Sequence, residues 1–215
     1  MKYKAVIFDL DGTVLSTLDD LADSVNYALR ANGMPQRSTA EVRSFVGNGI
    51  RRLIESSVPS GCDAITVDRV LATFSDYYGK HSADKTRPYD GVIEMMTRLK
   101  GDGVKIAVLS NKADWAVSEL CKRYFGDLVE YSMGETEGIP RKPSPAGVFV
   151  MLEKLGVDLD ECVYIGDSEV DILTANNAEM DCIAVDWGFR DRCQLVNAGA
   201  SVIASSPDEL YAKLL

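Results

Sequence analysis

The stretch Ala5-Val6-Ile7-Phe8-Asp9-Leu10-Asp11-Gly12-Thr13 decides how the rest of the 215-residue chain is read. A short apolar run rich in Val, Ile and Phe predicts a strand buried on both faces. Two carboxylates follow where the strand must end, and Gly12 tolerates the backbone angles of such an ending. Open α/β sheets place their sites beyond the C-terminal tips of the strands, so Asp9 and Asp11 fall at that edge. Close carboxylates repel one another and lose hydration, which calls for a cation. Oxygen donors of this kind suit Mg2+. Taken alone, the same residues also describe a strand that ends in a polar Asp-Gly turn.

Outward from this stretch the chain turns helical. Leu18, Leu21, Ala22, Val25, Ala28 and Leu29 recur at helical spacing up to Asn32-Gly33. Ser16 with Asp19, or Thr17 with Asp20, predicts a capping box at its start. Ser38-Thr39-Ala40-Glu41 opens a second helix, which Gly47-Asn48-Gly49 interrupts. Residues 50–58 predict a third helix and 67–78 a fourth. Between 16 and 85 no strand pattern is found, which predicts a small helical bundle.

Thr86-Arg87-Pro88-Tyr89-Asp90-Gly91 reads as a re-entry turn, after which helices and strands alternate. Helices are expected at 92–100, 115–124, 145–155, 171–177, 190–196 and 208–214. Strands are expected at 104–109, 128–132, 162–165, 182–185 and 202–204. This alternation means a parallel sheet covered on both faces. The predicted architecture is α/β: a Rossmann-like, doubly wound parallel sheet formed by 1–15 and 86–215. A helical cap formed by 16–85 is inserted after the first strand.

Composition narrows the function classes. The formal net charge is −10 and the pI near 4.6, which disfavours nucleic acid and anionic membrane surfaces as partners. The five cysteines form no CxxC pair, and an odd count of buried thiols fits a reducing cytosol. The N-terminal stretch lacks the pattern of a signal peptide, and no apolar run approaches membrane-spanning length. A cytoplasmic monomer or homodimer is expected.

Four polar groups stand at predicted strand ends or loops: Asp9 with Asp11, Ser110 with Asn111, Lys142 between Arg141 and Pro143, and Asp167 with Asp171. In order and spacing, DLDGT, LSNK, RKPSP and GDSEVD resemble the four motifs of the haloacid dehalogenase superfamily of phosphohydrolases. The helical insertion resembles the cap of the phosphoglycolate phosphatase-like branch. The resemblance runs through nearly the whole chain, and four ordered motifs are far more specific than one.

The resemblance implies a Mg2+-dependent phosphatase acting on a small phosphorylated metabolite, with 2-phosphoglycolate as the substrate for which the branch is named. Asp9 is the candidate nucleophile, since a carboxylate that attacks phosphorus splits one hard displacement into two easier ones. Asp11 is the candidate general acid and base, and the resemblance implies that only its backbone carbonyl touches the metal. Asp167 completes the metal set of Asp9, Asp11 and Asp167. Asp171, one helical turn on, supports the metal shell or holds Lys142. Lys142 supplies fixed positive charge for phosphoryl transfer. Thr13, Ser110, Asn111 and Lys142 are the expected phosphate-binding residues. Three of them have a plainer reading: a turn for Thr13, a helix N-cap for Ser110, a surface cation for Lys142.

In the insertion, Asn48, Arg51 and Arg52 are candidates for substrate selection, although a helix break followed by solvated arginines explains them equally well. Glu169 reads as structural, and the single histidine, His81, as structural or solvent-facing. Ser16 stands where the family often has Asp, and Asp90 where proline is common. Asp11 argues against a dehalogenase or a phosphonate-cleaving enzyme, which the family pattern leaves without it. A sugar phosphomutase of the same superfamily shares all four motifs. From a different class, a non-catalytic phospho-Asp switch or phosphate-binding module shares the acidic residues and the lysine, but such receiver domains are shorter and lack the insertion.

Overall fold

The computed structural model describes residues 2–215. In chain order the elements are β1 (Ala5–Phe8), β2 (Leu15–Ser16), α1 (Leu18–Ala31), α2 (Thr39–Phe45), α3 (Ile50–Ser57), α4 (Ala64–His81) and β3 (Arg87–Pro88). There follow α5 (Val92–Gly101), β4 (Lys105–Ala113), α6 (Asp114–Tyr124), β5 (Tyr131–Glu135), α7 (Ala146–Leu155), β6 (Cys162–Gly166), α8 (Glu169–Asn177), β7 (Asp181–Val185), α9 (Arg192–Asn197), β8 (Ile203–Ala204) and α10 (Pro207–Leu214). The chain divides into two compact units. One holds the residues up to Leu15 together with Pro88–Leu215, and the other is Ser16–Arg87. Among the described residues no helix is long and apolar enough to cross a membrane.

The first unit is built on a six-stranded sheet of order β5-β4-β1-β6-β7-β8. The strand pairs given by its register are parallel: Ile7 of β1 lies opposite Ala107 of β4 on one side and Tyr164 of β6 on the other. The chain winds from β1 out to β5, then back across to β6 and out to β8. The reversal falls at β1, so the crevice at the sheet's C-terminal edge opens where Asp9 emerges. Every residue of β1 is fully buried, which is why its sequence is continuously apolar rather than alternating. One face of the sheet packs Ile7, Leu109 and Tyr164 against Val148, Met151 and Leu155 of α7 and Ala175 of α8.

The second unit is the helical block. Leu21, Val25 and Leu29 of α1 pack with Val42, Ile54, Val70, Phe74 and Tyr78 in its own apolar core. Complete burial of each large side chain is worth about 1.5–3 kcal/mol. Ser38 starts α2, as expected, and forms a capping box with Glu41. Gly47 and Gly49, at φ 124° and 83°, make the break between α2 and α3 that other residues would resist.

Several boundaries differ from the sequence-based expectation. Thr17 is the N-cap of α1 but makes no side-chain capping bond, so neither predicted box forms. The nearby Asp20 is buried and accepts hydrogen bonds from the main-chain N–H groups of Lys85 (3.0 Å) and Thr86 (2.7 Å). Asp63 caps α4 three residues earlier than the apolar pattern suggested. The segment Gly126–Leu128 is a 3-10 turn, which delays β5 to Tyr131. β4 continues past Leu109 to Ala113, with a register shift against β5 between those two residues.

Candidate active site

The site grows from the C-terminal tips of β1, β4 and β6, all within the sheet unit. β1 delivers Asp9, and β6 delivers Asp167 one residue beyond its end. Asp9 and Asp167 are each less than a tenth exposed. Asp171 lies in the first turn of α8, fully buried. Carboxylate oxygens of Asp9, Asp167 and Asp171 lie within 4.8 Å of one another.

One lysine serves two of these acids. The Nζ of Lys142 stands 2.8 Å from Asp9 Oδ1 and 2.7 Å from Asp171 Oδ1, and it donates to the Tyr164 hydroxyl at 3.1 Å. Asp171 is saturated, because its other oxygen accepts from the Ser168 N–H (3.1 Å) and hydroxyl (2.6 Å). Of the two roles weighed for Asp171, its contacts are those of a group holding Lys142. The carboxylate of Asp167 accepts from the Phe189 N–H at 2.6 Å and from the Thr13 hydroxyl at 3.3 Å. Thr13 therefore turns its hydroxyl towards Asp167.

Electrostatics follow from the crowding. Burial, then the Asp171 charge, push the Asp9 carboxyl up to about 7 against the pull of Lys142. Burial, then Asp171 and Asp9, hold Asp167 well above the ordinary carboxylate range. Burial favours the neutral form of Lys142, but Asp171 and Asp9 outweigh it and keep the ammonium charged. Two buried acids driven towards protonation, Asp9 and Asp167, in a cluster built wholly of oxygen donors fit a hard divalent cation.

Space around Asp167 is closed by glycine. A Cβ on Gly12, whose φ is 87°, would lie 2.3 Å from Asp167 Oδ2. One on Gly188 would lie 2.2 Å from the Gly12 carbonyl and 2.4 Å from Asp167 Oδ2. The Trp187 indole N–H donates to the Thr13 carbonyl at 3.0 Å, which ties the 187–189 segment to the loop after β1.

Ser110 and Asn111 are buried within the strand extension rather than at a helix start, so the N-cap reading of Ser110 does not hold. The Ser110 hydroxyl accepts from the Lys112 N–H at 3.2 Å. The Asn111 carboxamide is spent on the main chain of Lys142: Nδ2 donates to its carbonyl at 3.0 Å, and Oδ1 accepts from its N–H at 2.8 Å. Asn111 was expected to bind phosphate, yet its side chain registers the lysine loop. Asp11 is not part of that acid group, and both of its oxygens meet Lys112 Nζ, at 2.9 and 3.1 Å.

The sequence reading assigned nothing to Lys112, Tyr164, Gly188 or Phe189. Lys112 sat in the LSNK motif in plain view, whereas Tyr164 looked like any aromatic in a buried strand. Glu169 is held by Arg190 Nε at 2.8 Å, which agrees with a structural reading. In the helical unit, Arg51 pairs with Asp68 (2.6 Å) and Arg52 with Glu55 (3.3 Å), and Asn48 lies in the break before α3. His81 stacks on Tyr77 and pairs with Asp84.

Comparison with known proteins places the chain. The family model for haloacid dehalogenase-like hydrolases matches residues 6–185. The phosphoglycolate phosphatase of Mesorhizobium japonicum is 34% identical, over 89% of this chain and 86% of that one. The phosphoglycolate phosphatase of Psychrobacter arcticus is 31% identical, over 98% of this chain and 92% of its own length. The crystal structure of a candidate phosphoglycolate phosphatase from Lactobacillus delbrueckii subsp. bulgaricus superposes with a TM-score of 0.95 at 38% identity, covering 100% of this chain and 99% of that one. The chain belongs to the haloacid dehalogenase-like hydrolase family, in its phosphoglycolate phosphatase-like branch.

Proposed function

We propose that this protein is a phosphatase that hydrolyses a small phosphorylated metabolite through an aspartyl phosphate on Asp9, with 2-phosphoglycolate as the first substrate to test. The observation that carries the reading is the pairing of Asp9 with Lys142 Nζ at 2.8 Å inside a cluster of acid oxygens within 4.8 Å, while the carboxylate of Asp11 stands apart on Lys112. Two acids two residues apart are thereby given different environments, as a nucleophile and an acid/base need. The names of the relatives support a phosphomonoester as the substrate class.

Asp9 Oδ attacks phosphorus, and the bond from phosphorus to the ester oxygen breaks. Protonated Asp11 gives its proton to that oxygen, so an alcohol leaves. Water then attacks the aspartyl phosphate, Asp11 accepts the water proton, and the bond from phosphorus to Asp9 breaks to release phosphate. Lys142 offsets negative charge as the phosphoryl group moves, and the rigid frame of Asp171, Tyr164 and Asn111 keeps its ammonium in place. Asp9, Asp167 and the Asp11 carbonyl are the groups that would hold Mg2+, which would supply further neutralisation of negative charge.

The test is phosphate release from a panel of 2-phosphoglycolate, sugar phosphates, nucleotides and pyrophosphate. Release that stops on chelation, returns with Mg2+ and is abolished in folded Asp9→Asn is expected. Near wild-type turnover in that variant, or turnover in metal-free protein, contradicts the mechanism. Transfer between positions of one sugar phosphate without net release would identify a mutase instead.

A further inference from the structure

Lys112 has no part in the steps above, yet the fold goes to some length to bury it beside Asp11. From Leu109 to Ala113, β4 spends four steps where β5 spends two, from Met133 to Glu135. The extra residues bulge from the ladder and re-aim their side chains. β5 passes so close to this bulge that a Cβ on Gly134 would lie 2.4 Å from the Lys112 carbonyl. The Lys112 N–H is anchored on the Ser110 hydroxyl. Its ammonium, on a side chain 3% exposed, meets both oxygens of Asp11, whose side chain is 13% exposed.

Asp11 lies two residues from Asp9, so its carboxylate is within reach of any cation bound by the acid cluster. A carboxylate captured by a divalent cation no longer serves as a proton donor. A loose one would bring its negative charge closer to the other three. The two hydrogen bonds from Lys112 oppose both outcomes, because they hold both Asp11 oxygens on the Lys112 ammonium, and Asp11 is not one of the acids gathered within 4.8 Å of one another.

We propose that Lys112 is a positioning residue for the acid/base step: it holds the Asp11 side chain out of the acid cluster, so that the carboxylate stays off the metal and available for proton transfer to the leaving oxygen. The inference rests on the phosphatase reading given above. It requires that loss of Lys112 harm the reaction through Asp11, and chiefly for esters whose leaving group needs a proton.

The experiment compares kcat/KM for an alkyl phosphate and for p-nitrophenyl phosphate in wild type, Lys112→Met, Asp11→Asn and the double variant. The aryl oxide leaves without help, whereas the alkoxide does not. The ratio of the two values is independent of how much of a preparation is folded, so a merely structural role leaves it unchanged. Lys112→Met is expected to lower the alkyl-to-aryl ratio by at least about tenfold, in keeping with the usual size of acid catalysis. Lys112→Arg, which keeps the charge, should retain more of the ratio. In the Asp11→Asn background the Met substitution should change the ratio no further. Should Lys112→Met yield no soluble protein, Lys112→Gln carries the same comparison. An unchanged ratio, or effects of the two substitutions that multiply, overturns the inference while leaving the phosphatase reading intact. Wild-type protein inactive on both esters overturns both.

Discussion

Asn111 grips Lys142 by the main chain on both sides of one residue, through Nδ2 to its carbonyl and Oδ1 from its N–H. A carboxamide is the one neutral side chain that offers a donor and an acceptor side by side, so it imitates a strand neighbour for a loop that has none. The grip sets where the Lys142 ammonium emerges, and the contacts to Asp9 and Asp171 depend on it.

Asn111→Ala should therefore loosen the loop and leave the buried Lys142 N–H without its acceptor. The expected cost is about 1–3 kcal/mol of stability, readable as a lowered denaturant midpoint. Displacement of the ammonium by as little as an ångström should lower kcat by up to about 100-fold. A variant with wild-type turnover would show that the grip does not position the lysine.

Gly12→Ala tests the closed space around Asp167. The added methyl meets the carboxylate at 2.3 Å, and the residue must also hold φ 87°. The backbone conformation alone costs a β-carbon about 1–2 kcal/mol. The larger effect should be on Asp167, which cannot keep its position. The Mg2+ concentration for half-maximal phosphate release should rise, and a variant whose metal requirement is unchanged would mean that the cradle is not part of the site.

Much of this was legible in the chain because burial on two faces leaves a plain mark. β1 and β6 are continuous apolar runs, each followed at once by an acid, so Asp9 and Asp167 could be read directly. Strand order was not written that way, since it depends on pairings between segments far apart in sequence. Lys112 was visible in its motif, but its contact with Asp11 was not, because a bulge breaks the period of two that tells which way a strand residue points. Asp20 looked like half of a capping box; in the fold it accepts the N–H groups of Lys85 and Thr86. Asn111 was read for its chemistry towards phosphate, and only the return of residues 141–143 beside it reveals what it holds.

Asp171→Ala should be among the most damaging changes in the sheet unit. Asp171 Oδ1 holds Lys142 at 2.7 Å, and its other oxygen serves Ser168. Removing one member of a buried ion pair leaves the other short of compensation and typically costs about 3–5 kcal/mol. Urea unfolding should register a loss of that size. Asp171→Asn keeps the volume but turns an amide donor towards Lys142 or Ser168, so it should also destabilise. A loss under about 1 kcal/mol in Asp171→Ala would show that Lys142 is held adequately by Asp9 and Tyr164.

Alkaline pH offers a separate check on the packing of the sheet core. Burial pushes the thiols of Cys121 and Cys162 up to about 12, far above an unfolded thiol. A group whose folded pKa is raised contributes stability that is fully present below the unfolded pKa, near 8.5, and is lost as pH rises towards the folded value. The unfolded chain gains by ionising at pH 10 while the folded chain does not. Other side chains titrate in the same window, so the comparison is between wild type and Cys162→Ala. Their difference in unfolding free energy should move in favour of the alanine variant by about 1–2 kcal/mol between pH 8 and pH 10. A difference that stays constant over that range would mean that the Cys162 thiol ionises as readily in the folded core as in the open chain.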